Sequence, residues 1–136
     1  MSGGGYRPHM AAAVTPDDLD WLLGVLRRRR EVLVPYAPVF WRPAPDADAH
    51  HRAYLQHRLA DGGARAWRTS TSVLVAAPRC EGWLVDDLAF GHRADGLELW
   101  DAFAAEHAGD EVRLVAPTYE SSRTSLAVDA RLTLAE

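Results

Sequence analysis

The chain has 136 residues, 48% of them hydrophobic and 25% charged, with a formal net charge of −4, the dimensions of one globular domain that can bury its own core and no second full-sized one. Its longest apolar-leaning stretch, residues 32–41, is about half of the roughly 20 residues a membrane-spanning helix needs and is interrupted by Pro35 and Pro38, so a transmembrane reading is excluded. Residues 1–10 have no apolar segment of the secretory kind, and the one cysteine, Cys80, can build neither an intrachain disulfide nor a Cys-rich zinc site; a cytoplasmic protein is expected.

Residues 1–10 read as a flexible leader and residues 11–136 as one domain, with a short strand over 10–14. Thr15-Pro16-Asp17-Asp18 joins a capping hydroxyl, a proline suited to a first helical position and two carboxylates over the positive helix end. A helix over about 16–31 follows, with Leu19, Leu22, Leu23 and Leu26 on one stripe and Arg27, Arg28, Arg29 and Arg30 at its negative end. The arginine run reads as a solvated helix end, with contact to a cofactor phosphate as the alternative. All basic residues are arginine, otherwise scattered, so no nucleic-acid partner is expected. Three prolines over 34–43 argue for an irregular loop. Its Tyr36, Phe40 and Trp41, with Trp67 further on, would line a pocket or cover the sheet.

A second helix spans about 46–60 and stops at Gly62-Gly63. It carries His50, His51 and His57, but an i to i+7 spacing puts side chains about 10 Å apart along a helix, too far for one ion. Strand-favouring runs at 64–69, 73–77 and 83–90 form an antiparallel meander, its second turn at 78–82. Gly96 opens a third helix that ends near Gly109. A strand at 112–116, a helix at 121–130 and the start of a strand at 132–134 complete the chain. The fold class is α/β with a mixed, mainly antiparallel sheet flanked by helices. No serine elbow or phosphate-binding P-loop is present.

This order, with Ala12-Ala13-Val14-Thr15-Pro16-Asp17-Asp18-Leu19 at the front and Trp83-Leu84-Val85-Asp86-Asp87-Leu88-Ala89-Phe90 before a glycine-containing turn, resembles the GCN5-related N-acetyltransferase (GNAT) family over residues 10–134. The resemblance implies a GNAT-like fold, C-terminally shortened because that family has two further strands, and transfer of acetyl from acetyl-CoA to a small-molecule or peptide amine. It implies that Leu88, Ala89 and Phe90 pair with the pantetheine arm through backbone groups. Arg93, Ala94, Gly96 and Leu97 would present helix-terminal amides to the pyrophosphate. Asp86 or Asp87 would be the base. The family's usual tyrosine acid falls on Ala127, so Tyr119 is the nearest substitute.

Glu98 stands where that family's phosphate turn has a small residue, and Asp95-Gly96-Leu97-Glu98 also fits a capping box that satisfies the chain's own amides. The alternative function is therefore a non-catalytic GNAT-like interaction module, in which a second copy or a partner chain completes the sheet. Strand alternation allows only one of Asp86 and Asp87 to look into a cleft between strands. An opening between strands 83–90 and 112–116 with Arg93 at its mouth would favour the enzyme. Asp95 capped onto Glu98, with side chains filling that opening, would oppose it.

Overall fold

Leu22, Val25, Leu26 and Leu33 are the buried stripe of the first long helix, and the sheet they cover follows from what faces them. The structure, a computed structural model, describes residues 11–60, 63–79, 82–89, 93–117 and 119–133, with the side chains of Asp86 and Arg93 outside the description. In chain order its elements are β1 (Ala12–Ala13), a 3-10 turn (Pro16–Asp18), α1 (Leu19–Leu33), α2 (Pro38–Trp41), α3 (Ala47–Ala60), β2 (Arg65–Arg68), β3 (Val73–Arg79), β4 (Gly82–Ala89), α4 (Arg93–Glu106), β5 (Glu111–Leu114) and α5 (Ser121–Asp129).

The five strands lie in the order β1-β2-β3-β4-β5, antiparallel except for the parallel pair β4 and β5. Helices cover both faces. On one, α1 and α3 bury Leu22, Val25, Leu26 and Leu55 against Ala66, Val73, Val75 and Ala89. On the other, Leu99, Trp100 and Phe103 of α4 and Leu126 of α5 close over Trp67, Leu74, Ala76, Val85 and Leu88. Each inner strand feeds both cores alternately, as a sheet between two helix layers requires.

The alternation slips once. Val75 faces Asp87 across the β3–β4 ladder while Ala76 faces Val85, so Asp86 is the additional residue of a bulge. Val85 and Leu88, three apart, consequently share the α4 face, and Asp87 turns with Ala89 toward α1 and α3.

Several boundaries differ from the sequence reading for physical reasons. Pro38 begins one helical turn inside the stretch expected to be irregular, a position where its missing N–H costs nothing. Pro78 lies within β3 opposite Trp83, so the strand pairing extends into the stretch expected to be a turn. Helix α4 starts at Arg93 and not at Gly96, which places Asp95 inside the first turn. Leu132 and Thr133 belong to no strand, and residues 134–136 lie outside the described residues, as do residues 1–10. Among the described residues no helix is long and apolar enough to cross a membrane.

Candidate functional site

The parallel strands β4 and β5 pair from Gly82 and Glu111 to Val85 and Leu114, with one further bond from the Val115 N–H to the Val85 carbonyl at 3.3 Å. Beyond that point β4 runs on to Ala89 while the chain after β5 turns toward α5, and the strands part. Carbonyls exposed by such a split inside a protein need donors. Arg123 of α5 supplies them: its Nη2 donates to the Leu88 carbonyl at 2.8 Å and its Nη1 to the Val115 carbonyl at 2.6 Å. The side chain is 1% exposed, the largest of the fully buried ones. A guanidinium suits this place because its rigid fork can serve two acceptors at once.

The charge of Arg123 is met by Glu120, whose Oε1 lies 3.2 Å from Nε. Glu120, also buried, accepts two bonds from Arg29 of α1, at 2.7 and 2.8 Å. Arg29 in turn lies over the Trp41 ring at 5.0 Å, the Trp41 indole N–H donates to the Tyr119 hydroxyl at 2.6 Å, and the Tyr36 ring stacks on that of Tyr119 at 5.6 Å. A continuous polar and aromatic seam thus joins α1, α2 and the start of α5 to the split in the sheet. It borders a cleft of about 440 Å³ lined by Val25, Arg28, Val32, Leu33, Tyr36, Thr71, Ala89, Tyr119, Ser121 and Ser122 besides Arg29 and Glu120, a size and mixture of walls typical of small-ligand sites.

At the first turn of α4, Asp95 is 5% exposed and accepts from the hydroxyls of Ser72 at 3.0 Å and Thr71 at 3.1 Å, with Thr69 at 3.4 Å. The capping pair expected between Asp95 and Glu98 does not form, because Asp95 is taken by the β2–β3 turn. A negative group of the chain's own therefore stands at the positive end of α4. Ala94 is exposed, Gly96 buried and Leu97 half-buried on this helix, and the Arg93 side chain and Phe90 lie outside the described residues.

The two carboxylates expected to supply a base fare differently. Asp87 is directed by the bulge to α3, where its Oδ2 lies 3.2 Å from His51 Nε2; the side chain of Asp86 is outside the description. Tyr119 lies in the cleft lining as a hydrogen-bond acceptor of Trp41. The structure brings Tyr119, Leu88 and Ala89 to the region of the split, and places Asp87 with His51 under α3. His50 meets Asp46 at 3.1 Å, and among the described residues no three histidine, cysteine or carboxylate side chains gather as a metal site.

The arginine run is not simply solvated. Arg27 and Arg30 bond Asp48 of α3 at 3.1 and 2.9 Å, Arg29 is committed to Glu120, and Arg28 lines the cleft. Arg30 first and then Arg27 hold the Asp48 carboxyl below its ordinary range. Sequence reasoning missed Arg123, Glu120 and the role of Arg29. Arginine and glutamate flanking a helix start look like surface residues, and no local pattern marks the one that will be buried. Trp67 is core, whereas Tyr36, Val39 and Phe40 are exposed. Comparison with protein-family models, curated proteins and solved structures finds no match.

Proposed function

We propose that the protein is a non-catalytic binding module on a GNAT-like scaffold, its acyl-carrier groove closed from within. The observation that carries this reading is the bridge Arg123 makes between the Leu88 and Val115 carbonyls. The family resemblance assigns the backbone of Leu88 to Phe90 to the pantetheine arm, and here the Leu88 carbonyl already has its donor. The place proposed for the pyrophosphate fits no better: Asp95 sits at the start of α4, and a carboxylate there opposes a second anion. The residues as placed are a poor fit to acetyl-CoA. Exposed apolar side chains between residues 32 and 40, with Val39 90% and Phe40 75% exposed, favour an interaction role for the adjoining surface.

One observation favours the second reading, acetyl transfer to an amine, which is the parting of β4 from β5 beyond Val85. In that reading Asp86 or Asp87 is the base and Tyr119 the acid, and Arg123 must leave the Leu88 and Val115 carbonyls to admit the cofactor. Calorimetric titration with acetyl-CoA, run beside size-exclusion chromatography to define the binding unit, separates the two. The module reading expects no saturable heat up to about 1 mM ligand. Micromolar binding would restore the transferase.

A further inference from the structure

The cleft beside Tyr119 has a charge pattern that selects its occupant. Three arginines, Arg28, Arg29 and Arg123, lie in or against its wall, with one carboxylate, Glu120, among them. Arg29 and Arg123 are both committed to Glu120, and Arg123 also to two carbonyls. Arg28 is different. It is exposed, it follows Arg27 in a run whose other members all have carboxylate partners, and among the described residues no carboxylate is paired with it. Its guanidinium lies back along α1, with Nη1 3.5 Å from where a side chain on Gly24 would begin.

One part of the lining is apolar and aromatic. Val25, Val32 and Leu33 form one side, and the parallel rings of Tyr36 and Tyr119 add aromatic surface. The wall is completed by Ser121 and Ser122 at the start of α5, a helix without a side-chain cap, so the local dipole has the same sign as Arg28. The donors of Arg29 and Arg123 are already engaged, so the Arg28 guanidinium beside apolar and aromatic walls matches a ligand that carries one carboxylate on an apolar body. An amine would meet the wrong sign.

We propose that this cleft binds a small aromatic monocarboxylate, its carboxylate on Arg28 and its ring against the Tyr36 and Tyr119 side. This rests on the reading of the protein as a binding module, since an amine acceptor would otherwise claim the same space. Binding needs no covalent step. Guanidinium to carboxylate contacts are charge-assisted and geometrically specific, and aromatic surface supplies most of the buried area.

The test is calorimetric titration of the full chain with naphthylacetate, its neutral amide, the corresponding naphthyl amine and acetyl-CoA, repeated on Arg28→Gln and Arg28→Lys. The proposal expects saturable binding of the carboxylate, weakened about tenfold or more by Arg28→Gln and partly restored by Arg28→Lys, with the amide weak on all three proteins. Because Arg28 is exposed and has no carboxylate partner among the described residues, both variants keep the fold, which circular dichroism verifies. Equal binding of the carboxylate to Arg28→Gln, tighter binding of the amine, or no binding of any naphthyl probe would overturn the proposal. Silence of acetyl-CoA in those cases leaves the module reading standing, whereas acetyl-CoA binding overturns both.

Discussion

A single buried arginine defines the centre of this molecule. Arg123 replaces hydrogen bonds that parting strands would otherwise lose, and its charge is tolerated because Glu120 lies against it. Arg123→Met should therefore cost about 3 kcal/mol or more, since it strands the Leu88 and Val115 carbonyls and leaves Glu120 with Arg29 alone. Urea denaturation of the variant measures this; a loss under about 1 kcal/mol would mean that water serves the carbonyls as well. Gly24 offers a contrast. It lies within α1, and an added methyl would meet only Arg28 Nη1, at an ordinary 3.5 Å. Gly24→Ala should stabilise the protein by about 0.5–1 kcal/mol through helix propensity, visible as a higher denaturation midpoint with an unchanged slope.

Among elements, the β4–β5 pair carries the most tightly determined contact. A side chain on Gly82 would begin 2.4 Å from the Glu111 carbonyl oxygen, so the first rung of the parallel ladder requires a residue with no side chain. Gly82→Ala should force the strands apart at their paired end and destabilise by about 1–3 kcal/mol. Hydrogen exchange would register it as faster amide exchange in residues 111–115 than in β2 and β3. Helix α4 is held differently, by Asp95 reaching across to the hydroxyls of the β2–β3 turn. That contact explains why three otherwise unremarkable residues, Thr69, Thr71 and Ser72, sit where they do. It also explains why α4 begins at Arg93: once Asp95 bonds the neighbouring turn, Gly96 is no longer needed as a start.

For the whole molecule, the 3-10 turn is tied to the sheet by Asp18, which receives the Thr15 N–H at 2.9 Å and Arg68 Nη1 at 2.7 Å. The Thr15 backbone bond, outweighing partial burial, and then Arg68 hold its carboxyl below the ordinary value of 3.8. A depressed carboxylate stabilises the fold when ionised, so its contribution is full above about pH 4 and is lost as pH falls through the lowered value. Asp18→Asn should therefore be less stable than the parent at neutral pH, with the two converging in strong acid. Denaturation midpoints measured across that range test the sign, and a constant gap at all pH values would refute it. Arg68 also lies over the Trp21 ring at 3.5 Å, so the same guanidinium links the turn, α1 and β2.

Local order was legible in the residues because it depends on near neighbours. Leucine spacing marked α1, the Thr15-Pro16-Asp17-Asp18 start marked its entry, and β-favouring runs marked β2, β3 and β4. The α/β class followed from their order. What lay beyond sequence was each feature that depends on distant partners: the bulge at Asp86, which sets the facing of Asp87; the capture of Asp95 by a turn more than twenty residues earlier; and the burial of Arg123. Periodicity specifies which side chains share a face. Only the packed sheet decides where its strands part, which carbonyls are then left without donors, and which charged residue is drawn inside to meet them.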